Sequence, residues 1–213
     1  MIITNLGEKF KEVLFHIEKI IKENNLNENL NYLAKGCSST VYIYDNFAIK
    51  IFNGDKNSNM FRNEDYKFLD ILKDSSYFPN LYAYKEGEYM IVDYIEGYNL
   101  NDIDIAIKSG YFCDNIMIDN LTKIISKQIW DVVDICKKYN IIPCDLHPEN
   151  IKINSKGELY IVDVGYFEEF SRDINEENYL SEEYIEFYYH NSYEDIFNTE
   201  EEVYYCIHPE QLV

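Results

Sequence analysis

The sequence predicts an α+β fold in two parts, an antiparallel-sheet region followed by a mainly helical one. Three observations carry this expectation. Short β-rich runs bounded by turns cluster between residues 33 and 94, and an apolar stripe at helical spacing occupies residues 119–139. The runs Ile151-Lys152-Ile153 and Leu159-Tyr160-Ile161-Val162, joined by Asn154-Ser155-Lys156-Gly157, then read as a hairpin.

Taken in order, residues 8–24 place Phe10, Val13, Leu14, Ile17, Ile20 and Ile21 on one helical face, to be buried on the part that follows. Asn24 to Asn29 reads as a polar loop. Leu33 to Tyr42 reads as a hairpin around a turn and Phe47 to Phe52 as a strand, and a helix over about residues 59–73 turns Phe61, Phe68, Leu69 and Leu72 inward. Leu81–Tyr84 and Tyr89–Tyr94 form two strands around Lys85-Glu86-Gly87-Glu88. A short helix is expected over 99–109. The 119–139 helix, with Leu121, Ile124, Ile125, Ile129, Val132, Val133 and Cys136, is core of the second part.

Composition narrows the function. A chain of 213 residues builds one domain or two small lobes with an adequate core. Its net charge of −20 disfavours nucleic acid and anionic membrane, both polyanions, and leaves a basic partner or plain solubility. Five cysteines without C-x-x-C spacing, and no signal peptide, point to the reduced cytoplasm. No apolar run approaches the ~20 residues of a membrane span. Cys and His never pair at zinc-ligand spacing.

The chemistry concentrates in Cys144-Asp145-Leu146-His147-Pro148-Glu149-Asn150 and, one hairpin later, Asp163-Val164-Gly165. Two Asp and one Asn on adjacent loops bring hard oxygen donors together for a metal–nucleotide complex and leave a carboxylate to take a proton. Upstream, Lys50 ends the Phe47-Ala48-Ile49-Lys50 run, where burying a lone ammonium is costly. Leu33-Ala34-Lys35-Gly36-Cys37-Ser38-Ser39-Thr40-Val41 is a turn rich in small residues, which alone would be an ordinary β-turn.

D-L-x-P-E-N followed by D-x-G resembles the catalytic and metal loops of the protein kinase superfamily, and Ala48-Ile49-Lys50 resembles its V-A-I-K strand. The resemblance covers about residues 33–165 and points to minimal, atypical members such as the RIO-like, lipopolysaccharide-kinase-like and aminoglycoside-phosphotransferase-like groups. It implies a two-lobe fold: an N-terminal amphipathic helical extension (1–30), a sheet lobe with one helix (31–95) and a shortened, mainly helical lobe (96–213). ATP and Mg²⁺ are the implied cofactors. Gly36, Ser39, Val41, Ala48, Lys50, Val92, Asn99 and the backbone of Asp93 and Ile95 would bind nucleotide, and Asn150 and Asp163 would hold the metal. Asp145 would be the catalytic base, His147 would face the γ-phosphate, and Lys152 would floor the base with its aliphatic stem. A helical carboxylate should hold Lys50; side-chain reach favours Glu64, helix phase favours Asp65, and Glu64 is preferred.

The departures shape the subclass. Ala34 and Ser39 replace two glycines of the phosphate loop, and Pro143 and Cys144 replace the usual His and Arg. Only 48 residues follow Gly165, without an A-P-E motif, so a shortened second lobe is expected. Residues 168–202 hold thirteen acidic residues against Arg172 alone, a solvated face or a dock for a basic substrate. The expected activity is ATP- and Mg²⁺-dependent transfer of the γ-phosphate to a hydroxyl, with Ser/Thr of a protein ahead of a small molecule of aminoglycoside, choline or sugar type. A pseudokinase that senses nucleotide or acts as a scaffold is the alternative. The oligomeric state is left open.

Overall fold

A computed structural model describes residues 1–53, 64–112 and 120–169. The chain divides into two compact units, Met1–Ile95 and Glu96–Val213.

The first unit is built on a six-stranded antiparallel sheet. Its strands are β1 (Ile2–Ile3), β2 (Asn31–Lys35), β3 (Ser39–Tyr44), β4 (Phe47–Phe52), β5 (Leu81–Lys85) and β6 (Tyr89–Asp93), in spatial order β1-β5-β6-β4-β3-β2. Side chains alternate along β4, so its two faces differ in role. Phe47 and Ile49 join Tyr42, Tyr89 and Ile91 in a core capped by helix α1 (Lys11–Lys22), through Leu14, Ile17 and Ile20. Burial of each of these aliphatic side chains contributes roughly 1.5–3 kcal/mol. Lys50 points to the opposite face.

The predicted first helix starts differently from its periodicity. Gly7–Phe10 is a 3₁₀ turn, because the chain is already pinned to β5: Thr4 Oγ1 donates to Leu81 O at 2.8 Å and accepts from Gly7 N at 3.1 Å. A Cβ on Gly7 would lie 2.1 Å from Tyr82 O, so no other residue fits this approach. Phe10, expected inside, is 38% exposed and only sets its ring edge-on to Phe47 and Tyr82. The polar stretch after α1 closes into one helical turn, α2 (Leu26–Asn29), with Asn29 Nδ2 donating to Asn25 O at 2.9 Å. Of the helix expected over 59–73, the described part is α3 (Asp65–Ile71); Phe61 lies outside the described residues.

In the second unit, β7 (Tyr98–Asn99) leads through a 3₁₀ turn at Leu100–Asp102 into α4 (Ile103–Lys108). Helix α5 (Leu121–Lys138) buries Leu121, Ile125, Ile129, Val132, Val133 and Cys136 on a single stripe. Burial pushes the Cys136 thiol up to about 12, which keeps it un-ionised. Strand β8 (Ile141–Ile142) pairs with β11 (Glu168–Glu169), and β9 (Ile151–Ile153) pairs with both β10 (Leu159–Ile161) and β7. The β9–β10 turn is closed by Asn154, whose Oδ1 accepts from Lys156 N at 2.9 Å and Glu158 N at 3.0 Å. Gly157 supplies the left-handed residue at φ +78°. Gln128 of α5 fastens this hairpin, donating to Gly157 O at 2.7 Å and accepting from Leu159 N at 3.0 Å. The acidic stretch beyond residue 169 lies outside the described residues. Among them, no helix is long and apolar enough to cross a membrane.

Candidate active site

Directly opposed residues of antiparallel strands share a face. Val41, Lys50 and Met90 form one such row, and Ile43, Ala48 and Val92 form the next. Four residues expected around a nucleotide, Val41, Ala48, Lys50 and Val92, therefore stand together on the sheet face that α1 leaves alone.

Lys50 is 5% exposed and its Nζ lies 2.5 Å from Asp65 Oδ2; Asp65 is 2% exposed. This corrects the preference for Glu64. Glu64 precedes the first turn of α3, and its carboxylate takes the exposed Lys67 at 2.7 Å. Asp65 shares a helix face with Phe68, Leu69 and Leu72, at spacings of three, four and seven, all buried. Tyr66 stacked on Tyr84 at 4.3 Å presses the same helix onto β5. Phase decided the partner, not reach.

The β2–β3 turn is held from an unexpected side. Gly36 N donates to Ser39 O at 2.9 Å, and Asn53 N donates to Ser38 O at 2.7 Å. Asn53 Nδ2 also reaches Cys37 O at 3.2 Å. Gly36 has no left-handed φ, and a Cβ there would meet only Ser39 O at 3.8 Å, so this backbone does not itself demand glycine. Ser39 is 4% exposed at the start of β3.

Asp93 ends β6 in a tight polar knot. Its carboxylate accepts from Asn80 N at 2.9 Å, Asn80 Nδ2 at 2.8 Å and Tyr82 Oη at 2.6 Å. Burial and that neighbouring carboxylate push the Tyr82 phenol well above its ordinary value. The Asp93 N–H is committed to Asn80 O at 3.1 Å, so a contact from this backbone to a base falls to its carbonyl. Ile95 is half-buried at the end of the unit.

In the second unit, the Asp145 loop is a chain of short turns. Cys144 N donates to Ile142 O at 2.9 Å, His147 N to Asp145 O at 3.1 Å and Asn150 N to His147 O at 2.9 Å. Asp145 sits in the left-handed region at φ +62°, which Asp tolerates better than most residues. Asn150 Nδ2 donates to Asp145 O at 2.9 Å and to Asp145 Oδ2 at 3.2 Å, and lies 3.1 Å from His147 Nε2. His147 Nε2 is in turn 3.5 Å from Asp145 Oδ1. Leu146, 1% exposed, roots the loop in the core while the Asp145 and His147 side chains stay 43% and 38% exposed. Asp145, His147 and Asn150 thus form one hydrogen-bonded cluster.

Asp163 follows the β9–β10 hairpin. Val162 N donates to Asn150 O at 2.9 Å, so the chain reaches Asp163 one residue after touching Asn150. Asp163 Oδ1 accepts from Gly165 N at 2.9 Å, an Asx turn that sets the carboxylate. Among the described residues no three His, Cys, Asp or Glu side chains gather as a metal cage. One carboxylate and one amide oxygen suit Mg²⁺, which keeps waters and phosphate oxygens as its remaining ligands. Asn99 pairs with Lys152 across β7 and β9.

A buried lysine of a central strand tied to a helical carboxylate, and an Asp–Asn loop opening a hairpin that ends in Asp-x-Gly, belong to one class, the protein kinase-like superfamily. Within it, residues 8–192 match the ABC1 atypical kinase-like domain, and the chain belongs to that family. No curated protein matches the sequence.

Three residues of these arrangements escaped the sequence reading. Asn53, Gln128 and the Asp93 side chain are polar residues whose partners lie 11 to 31 positions away. The only signal was indirect: Gln128 is a polar residue on a helix flank, and Asp93 is an acid in an apolar strand.

Proposed function

We propose that this chain is an ATP- and Mg²⁺-dependent phosphotransferase that moves the γ-phosphate to a hydroxyl, with Ser/Thr of a protein as the acceptor placed first. The observation that carries the reading is the Lys50–Asp65 pair. Taking two charges out of water costs several kcal/mol per ion, and hydrophobic residues of equal volume would be as stable or more so. Its retention on a sheet face beside the small Ala48 argues for use rather than stability.

On this reading Lys50, oriented by Asp65, binds the α- and β-phosphates, and Val41, Ala48 and Val92 flank the base. The turn from Gly36 to Ser39 covers the phosphates, with the Gly36 N–H itself held by Ser39 O. Asp145 accepts the proton of the acceptor hydroxyl as its oxygen bonds to the γ-phosphorus; the bond to the β–γ bridging oxygen breaks, and ADP leaves. Asn150 orients the Asp145 carboxylate with its amide N–H, and its Oδ1 together with Asp163 would hold Mg²⁺, which when bound would supply charge neutralisation at the phosphates. His147 borders the γ-phosphate position.

Incubation of the full chain with γ-labelled ATP, Mg²⁺ and a basic test protein tests this, with Asp145→Asn as control. Label on protein, lowered by about 10²–10⁴-fold in the variant, is the expected result. Label only on a cationic small molecule transfers the reading to that acceptor class. Nucleotide binding without transfer leaves a pseudokinase, a result that Ala34, Ser39, Pro143 and Cys144 would then explain.

A further inference from the structure

Lys152 is an odd residue to find where it stands. It occupies the centre of the three-residue strand β9, opposite Tyr160 on one side and Asn99 on the other. Half-buried there, its amine has its pKa pushed below the ordinary lysine value by loss of solvent. Its Nζ donates to Gly97 O at 3.2 Å. Gly97 is itself pressed against β9: a Cβ on it would lie 2.4 Å from Ile153 O, at φ +158°. The landing point of the segment that follows Asp93 is thereby fixed twice on one strand, by a glycine contact and by an ammonium. That strand begins at the residue after Asn150.

We propose that Lys152 is a positioning residue for the nucleotide base, a latch whose ammonium holds Gly97 and so fixes the backbone leading from Asp93 through Ile95. The inference rests on the phosphotransferase reading, in which that backbone hydrogen-bonds the base. A leucine or methionine at 152 would supply an apolar stem equally well; only an amine or guanidinium also supplies the tether. The latch acts on the base and not on the phosphates, which sets its signature apart from general loosening.

Calorimetric titration of the full chain with Mg²⁺ and either ATP or inorganic tripolyphosphate tests this. Lys152→Met should weaken ATP binding about fivefold to tenfold, the loss of one charge-assisted hydrogen bond at a half-exposed site, and leave tripolyphosphate unchanged. Lys152→Arg should keep ATP binding within about twofold, since it retains a donor. Unaltered ATP binding in Lys152→Met, or equal weakening of both ligands, overturns the proposal. If the unaltered chain binds no ATP, the phosphotransferase reading fails first. Hydrogen exchange at the amides of 97–99 then judges the latch alone: faster exchange in Lys152→Met upholds it, and unchanged exchange refutes it. Should Lys152→Met not fold, Lys152→Gln takes its place in the same titrations.

Discussion

The two candidate clusters, one in each unit, are held by opposite means. In the first unit, Lys50 and Asp65 are both nearly inaccessible, one on a central strand and one on a helix packed over it. In the second, Asp145 and His147 keep about two-fifths of their side chains in solvent and are oriented by backbone turns and Asn150. Burial fixes the first; hydrogen bonds over an apolar footing fix the second. The lesson concerns cost. A buried ion pair stores a large penalty that appears when one partner is removed, whereas an exposed polar cluster can be altered with little effect on the fold.

That contrast can be broken by measurement. Asp65→Ala removes the counter-charge of a buried ammonium and should cost about 3–5 kcal/mol in urea denaturation. Replacing both partners, Lys50→Met with Asp65→Leu, should recover most of that loss while abolishing nucleotide use. A small effect of Asp65→Ala would mean that the pair is not buried in solution. Gln128→Ala, which removes both bonds to the β9–β10 hairpin, should cost about 1–2 kcal/mol and speed hydrogen exchange at Gly157 to Leu159. Glu64→Gln should change stability by no more than ~0.5 kcal/mol, because its partner Lys67 is exposed. If Glu64→Gln matched Asp65→Ala, the assignment of the Lys50 partner would reverse.

Much of this architecture was legible in the sequence, for identifiable reasons. The hairpin at 151–161 announced itself through apolar runs around an Asn-Ser-Lys-Gly turn, and α5 through a stripe sustained over five turns. The Lys50 partner was legible only as a pair of neighbours. Glu64 has one more methylene of reach, but reach is irrelevant to a residue outside the helix, and periodicity against Leu69 and Leu72 held the answer. At Gly36 the resemblance points to a small residue beside the phosphates, and neither its φ nor its surroundings separately ask for glycine. The bonds made by the Asn53 and Asp93 side chains could not be read. A polar side chain that bonds to backbone across the sheet leaves no periodic trace, because its partner is chosen by tertiary folding.

The backbone at Asp145 has a consequence for anyone wishing to silence this chain. At φ +62° the position favours Gly, Asn and Asp, and a side chain such as Ala or Val would strain the peptide there by roughly 1–2 kcal/mol. An alanine variant would therefore mix two lesions, a missing carboxylate and a reshaped loop. Asparagine, equally at home in that conformation, removes the charge and spares the main chain. The torsion angle thus selects the knockout from which loss of turnover can be attributed to chemistry alone.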